Sequence, residues 1–323
     1  MDIEYLLLLQ KLREMSGGRF DSFFSFIVTI SVDYWIVVPI LILFWTVNKR
    51  KASQVAFSLG GSMLVGSFLK ATFCVYRPWI RDPRVKPLES VMSGATGYSF
   101  PSGHSTCAGG FWGGLAYSYK KYKGFVVFCM VMILIVMFGR NFVGVHTPQD
   151  VVVGAGCALL MGFLMDKLLA AVDKKPQLDI VIFIVSAVVC AALLLYLYYK
   201  PYPMDYVDGK LLVDPKKMTV DSFKDPGTFF GFIAGWFLER RFVKFSTDGT
   251  PMEKVLRSLV GGLLYIFIQL CIVIPGAKAI GVGAAYFFFF ALNNAAFMTV
   301  YPALALKFEA WARKRQAARA TEK

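Results

Sequence analysis

Apolar runs of membrane-spanning length recur along this chain from residue 23 to residue 306, and no other feature narrows its fold as much. A bilayer core is about 30 Å thick, so a helix needs about 20 mostly apolar residues to cross it. Within that core each backbone N–H and C=O must find a partner inside its own segment, which makes the helix the natural spanning element. Crossings are expected at about 23–47, 54–75, 103–119, 124–139, 149–171, 178–199, 227–238, 255–275 and 280–305, nine in all. Those at 103–119 and 227–238 are short or interrupted by glycine. The expected fold class is therefore all-α: a polytopic membrane helical bundle.

Charge then sets direction. The net charge of +14 would suggest a nucleic-acid partner in a soluble chain, but here 57% of residues are hydrophobic and only 17% charged. Lys49-Arg50-Lys51, Lys120/Lys121/Lys123, Lys167/Lys174/Lys175, Arg240/Arg241/Lys244/Lys254/Arg257 and Arg313-Lys314-Arg315 all fall on one side of successive crossings. Positive-inside loops account for the charge, and no nucleic-acid partner is expected. The N-terminus is then outside and the C-terminus cytoplasmic.

Between and beyond the crossings lie three other stretches. Residues 1–22 read as an amphipathic segment lying on the membrane; Asp2 and Glu4 argue against a signal peptide. Residues 200–226 form an extracytoplasmic loop with five lysines and five aspartates, a neutral cap. Residues 307–323 read as a basic cytoplasmic tail, solvated or touching anionic headgroups. The six cysteines lie in or beside apolar runs without a C-x-x-C pair, so they read as small buried hydrophobes.

Polar groups gather at the outward ends of the crossings. Lys70 and Arg77 are seven residues apart, which on one continuous helix would put both on one face about 10 Å apart, with Pro78 ending it. Either cation alone could simply snorkel to the interface. Phe100-Pro101-Ser102-Gly103-His104 has the look of a helix start, where free N–H groups suit an anion. Gly103 would let an amide approach closely, and Ser102 would add a hydroxyl. Arg140-Asn141-Phe142-Val143-Gly144-Val145-His146-Thr147-Pro148-Gln149-Asp150 separates two apolar runs. Thr147, Pro148 and Asp150 read there as a capped helix start, with Asp150 able to accept from the imidazole of His146. His104 and His146 are the chain's two histidines, and both fall on the same side as the three cations. Together these groups make a site for a phosphate and for proton transfer to its ester oxygen.

At this point the sequence resembles the type 2 phosphatidic acid phosphatase superfamily, whose site is shared with vanadium haloperoxidases. The pattern K-x6-R-P is met by Lys70, Arg77 and Pro78, P-S-G-H by Pro101 to His104, and S-R-x5-H-x3-D by Arg140, His146 and Asp150. Gly139 stands where the family usually has Ser. The resemblance implies a six-helix phosphatase core over about 23–199, and the apolar runs over 227–306 would add about three further transmembrane helices. It implies His146 as nucleophile forming a phosphohistidine, Asp150 holding its ring, and His104 as the acid that protonates the leaving alkoxide. Lys70, Arg77, Ser102, Gly103 (through its N–H) and Arg140 would bind the phosphoryl oxygens. No metal and no cofactor are implied.

The resulting expectation is an integral membrane phosphatase acting on a lipid phosphate monoester or pyrophosphate at the extracytoplasmic face. Its partners would be the lipid substrate and membrane lipids; the sequence sets no oligomeric state. The alternatives are a lipid phosphotransferase, a glucose-6-phosphatase-like enzyme, and a transporter or flippase that binds phosphate without hydrolysis. The absence of an ER-retention tail and of N-x-[ST] acceptors points to a bacterial plasma membrane. Asp33, as an intramembrane carboxylate, is either a further functional candidate or a group that snorkels or pairs helices near the outer interface, while Asn293 and Asn294 read as helix–helix hydrogen bonding.

Overall fold

A computed structural model describes residues 2–321 other than Asp33, Ser93, Thr96 and Asp208. The candidate role of Asp33 therefore lies outside the described residues. Fifteen helices and one two-stranded ribbon make up the described chain. The N-terminal helices are α1 (Asp2–Met15), α2 (Asp21–Ile30), α3 (Tyr34–Thr46) and α4 (Lys49–Phe73). Two single turns, α5 (Pro78–Arg81) and α6 (Glu89–Met92), precede α7 (Gly103–Ser118), α8 (Lys123–Phe142), α9 (Pro148–Lys174) and α10 (Leu178–Tyr199). The ribbon β1 (Tyr206–Val207)/β2 (Lys210–Leu211) and α11 (Pro215–Ser222) lead into α12 (Lys224–Leu238), which ends in a π-helical turn at Glu239–Val243. The rest is α13 (Pro251–Ile268), a second π turn (Gln269–Val273), α14 (Ile274–Ile280) and α15 (Gly283–Thr321).

Six of these helical stretches are long and apolar enough to cross a membrane, or up to seven if the bent α2–α3 pair counts as one span. The other two expected crossings are α7, of 16 residues, and α12, of 15. Both nevertheless run between the same two ends of the bundle. α7 starts beside the cavity at His104 and finishes with Ser118 Oγ donating to the carbonyl of Lys51. α12 starts with Asp225 accepting from Ser67 and finishes where Arg241 grips Asp179. Among the described residues the chain thus passes nine times between two ends.

Glycine explains why the short passes sit inside the bundle. Gly227, Gly231 and Gly235 are spaced by four on α12, and a Cβ on them would lie 2.5–2.7 Å from Phe287, Ala291 and Met298 of α15. Backbones pack this closely only where side chains are missing, the small-residue stripe of membrane helix pairs. On α7, Gly110 and Gly114 meet α4 at Leu59 and Val55, while Gly109 and Gly113 meet α9 at Ala158 and Leu159. The main apolar core lies where α3, α4 and α12 meet α15, around Phe44, Trp45, Phe57 and Phe232. Trp45 Nε1 there donates to the carbonyl of Phe297 at 2.8 Å.

One end of the bundle collects the basic loops. Lys49 pairs with Glu239 at 2.6 Å, Arg50 with Asp173 at 2.8 Å, Lys120 with Asp166 at 2.8 Å and Arg241 with Asp179 at 2.5 Å. The tail residue Arg313 belongs to the same long α15 and pairs with Glu253 at 2.6 Å. At the other end α1 lies across the loop after α5. Asp2 and Glu4 pair there with Arg81 and Arg84, and Arg13 donates to the carbonyl of Lys86.

Candidate active site

The site forms at the end opposite the basic loops. Lys70, Arg77, His104, Arg140 and His146 line one cavity of about 330 Å³, together with Gly103 and Pro101. Five of the seven sequence-nominated side chains therefore converge, and Gly103, the eighth nominated residue, joins them through its backbone.

Lys70 reaches this cavity from α4, its ammonium donating to the carbonyls of Tyr98 and Pro101, each at 2.9 Å. Arg77 arrives by a different route from the one expected. α4 ends at Phe73 because Cys74 adopts φ +48°, a left-handed cap, so Lys70 and Arg77 do not share a helical face. Pro78 accordingly opens α5 instead of closing α4. After that reversal Arg77 is buried, donating to the carbonyls of Gly97 and Val145 at 3.1 Å each.

His146 sits in the short connection between α8 and α9, 1% exposed. Its carbonyl accepts from Asn141 Nδ2 at 2.9 Å, and Gly144 makes the turn with φ +78°. Nε2 of the ring lies 2.9 Å from Nη1 of Arg77. Nδ1 lies 3.4 Å from Asp150 Oδ2, longer than a direct hydrogen bond. Ser99 fills the gap: its Oγ donates to Asp150 Oδ2 at 2.6 Å and lies 3.3 Å from Nδ1. The N–H of Thr147 donates to the same carboxylate oxygen at 2.8 Å, the expected capping contact of α9. Burial above all, and then the positive charges of Arg77, Arg140 and Lys70, hold the pKa of His146 well below the ordinary histidine range.

Arg140 projects from the last turn of α8 and is 2% exposed, yet its Nε has no hydrogen-bond partner among the described residues. A buried guanidinium nitrogen left without an acceptor is costly, and a bound anion would satisfy it. A Cβ on Gly103 would meet nothing within 4 Å, so no protein contact requires glycine there and the open space is the cavity. Ser102 is placed differently: fully buried, it caps α7, its Oγ accepting from the N–H and hydroxyl of Ser105. Gly139 has its own reason. A Cβ there would lie 3.2 Å from the ring of Phe24, so glycine lets α2 press on α8.

Sequence reasoning missed three contributions. Ser99 carries no signal beyond being a serine before the second motif. Asn141 was legible only as a polar neighbour of Arg140. The third is a whole wall: Asp221, Lys224, Asp225, Thr228, Tyr265 and Gln269, all C-terminal to the motifs, line the same cavity. Tyr265 donates to Asn294 and Asn293 donates to Gln269, so the two asparagines do bond between helices as expected. Among the described residues no three His, Cys, Asp or Glu side chains converge as a metal-holding group.

Comparison with known proteins matches two parts of the chain. Residues 51–174 match the PAP2 superfamily, and residues 223–314 match the PAP2 superfamily phosphatase, transmembrane extension. Lipid phosphate phosphatase delta of Arabidopsis thaliana is 27% identical over 180 residues, which covers 52% of this chain. The chain spans 42% of that relative's length. No solved structure matches it.

Proposed function

The chain belongs to the PAP2 superfamily, and from that premise we propose that it is an integral membrane phosphatase hydrolysing a lipid phosphate monoester or pyrophosphate through a phosphohistidine. One observation carries the reading: three cations and two histidines line one cavity, and Arg140 keeps a buried Nε unmatched there. Phosphoryl transfer depends on charge stabilisation and positioning, which the cations supply, and a histidine nucleophile adds the covalent step.

In this mechanism Arg77, Arg140, Lys70 and the N–H of Gly103 take the phosphoryl oxygens. Arg77 gives up its contact with His146 as the phosphate enters, which frees Nε2 to attack phosphorus in line. The P–Nε2 bond forms as the P–O bond breaks, and His104 delivers a proton to the departing alkoxide. Asp150, held by Ser99 and Thr147, stabilises the positive charge left on the ring. Water, deprotonated by His104, then releases inorganic phosphate. The lipid chain would lie along Ile36, Val37, Leu59, Met63 and Phe290, the apolar part of the same cavity. The residues of the extension on the opposite wall take part in choosing among lipid phosphates.

The active site is proposed to face outward, because the basic loops collect at the other end of the bundle. Phosphate release by the purified protein from a panel of lipid phosphates in detergent tests the whole reading. Release should continue in EDTA and stop with vanadate, whose trigonal-bipyramidal form mimics in-line transfer beside His146. Loss in EDTA that a divalent metal restores would overturn the metal-free mechanism.

A further inference from the structure

A second cavity, of about 560 Å³, opens at the end opposite the site, where α4 and α9 meet the π turn that follows α12. It is lined by Lys49, Arg50, Arg240 and Lys244, with Asn48 and Thr247 beside them, against the two carboxylates Asp173 and Glu239. Those carboxylates are already matched: Glu239, 3% exposed, by Lys49 at 2.6 Å, and Asp173 by Arg50 at 2.8 Å. Two cations remain in excess. Arg240 stacks over Trp236, and its Nε is 3.7 Å from Asp179, too far for a hydrogen bond. That carboxylate is already held by two nitrogens of Arg241, and Arg240 Nε is buried with no acceptor. Lys244 is held at φ +50°, a conformation uncommon for a residue with a side chain, by its N–H bonding the carbonyl of Glu239 across the π turn. That conformation sets the lysine at the rim of the cavity.

Depth identifies the ligand. Arg50 lies at one end of α4 and Lys70 at the other, twenty residues apart, which is about 30 Å of helix and about the thickness of a bilayer core. The cavity therefore sits at the headgroup level of the leaflet opposite the active site. Its surroundings are apolar and exposed: Val47 on its wall, Leu238 just before the π turn and Phe242 within it, the last by 75%. We propose that this cavity binds the headgroup of an anionic phospholipid, a phosphodiester whose acyl chains lie on these exposed apolar side chains. Arg240 and Lys244 supply the charge, and Thr247, Asn48 and the start of α4 supply further donors. Because α4 and α9 lie in the superfamily domain and the π turn in the extension, the lipid joins the two parts. The inference is independent of the catalytic reading.

The test uses the full-length protein in an uncharged detergent, with short-chain phosphatidylglycerol as probe. As a diester, it offers neither the terminal monoester nor the pyrophosphate that the proposed phosphatase hydrolyses. Native mass spectrometry should retain one phosphatidylglycerol per protein, and the thermal midpoint should rise to saturation with it. Phosphatidylcholine should do neither. Arg240→Gln/Lys244→Gln should weaken half-saturation about thirtyfold, the loss of two headgroup-level charges. Lys244→Gln alone changes an exposed side chain, and should weaken it in the same direction. An unchanged lipid response in both variants, or an equal response to phosphatidylcholine, would overturn the proposal. Displacement of the lipid by inorganic phosphate alone would also overturn it, in favour of a soluble-anion site.

Discussion

Nη1 of Arg77 lies 2.9 Å from Nε2 of His146, and a guanidinium can only donate. Nε2 is therefore the acceptor, and the proton of the neutral ring sits on Nδ1, facing Ser99 and Asp150. The nitrogen proposed to attack phosphorus thus carries its lone pair before substrate arrives. The same arginine that covers it is poised to move onto the incoming phosphate.

That arrangement makes a prediction about pH. Burial and three neighbouring cations lower the pKa of His146, so the folded protein keeps it neutral below pH 6.5, where a free histidine would protonate. Its contribution to stability is then complete above the unfolded value and is lost as pH falls toward the folded one. With two histidines in the chain, histidine-selective NMR of the wild type and His104→Gln assigns each ring. The His146 signal should remain that of the Nδ1–H tautomer at pH 6.5 in the unliganded protein. A half-protonated ring at that pH would contradict the assignment.

Arg140→Gln should separate function from stability. The wild-type Nε is buried without an acceptor, so removing the charge should leave the thermal midpoint unchanged or raise it. Turnover should fall by about 10²-fold or more, as when one donor to a developing oxyanion is lost. Vanadate should stabilise the wild type and fail to stabilise the variant. A destabilised variant that still responds to vanadate would mean Arg140 serves the fold.

Ser99→Ala tests the link between His146 and Asp150. It removes a hydrogen bond of 2.6 Å to the carboxylate while leaving Thr147 to hold the other side. A loss of about tenfold in kcat is expected, equivalent to one such bond. Asp150→Asn should cost more, about 10²–10⁴-fold, since it also removes the charge that stabilises the imidazolium. Equal effects from the two variants would show that Ser99 is the main orienting group.

The gathering of Lys70, Arg77, His104, Arg140, His146 and Asp150 at one end was legible because alternating crossings place every second helix end on the same side. The route taken by Arg77 was not. A seven-residue spacing looks like two helical turns, and nothing about Cys74 announces a left-handed backbone, which is usually left to glycine or asparagine. The hydroxyl of Ser102 could not be assigned from sequence, since a serine at a helix start can cap it as readily as face a ligand. The wall built by Asp225, Tyr265 and Gln269 depends on packing between segments far apart in the chain, for which no local pattern exists. All nine passes were expected from the apolar runs, though α7 and α12 are too short to qualify as spans by length and hydropathy, and their interior position rests on close glycine contacts that appear only in the fold.

Orientation is open to direct labelling. The outward reporter belongs on the exposed Lys210 of the ribbon, and the inward one on the exposed Lys121. In a cysteine-free background, Lys210→Cys should react with a membrane-impermeant maleimide added to intact cells, and Lys121→Cys only after lysis. The reverse pattern would put the substrate in the cytoplasmic leaflet.

The most direct test of the phosphohistidine mechanism compares the two histidines by leaving group. Nitrophenolate departs without a proton, whereas an alkoxide needs one, and that help is worth about 10²–10⁴-fold. His104→Ala should therefore lose its activity on a lipid phosphate yet release a burst of nitrophenol from p-nitrophenyl phosphate, no larger than the enzyme concentration. The trapped phosphoenzyme should be acid-labile and alkali-stable, and His146→Ala should give neither burst nor adduct. A burst from His146→Ala and none from His104→Ala would contradict the assignment and exchange the two roles.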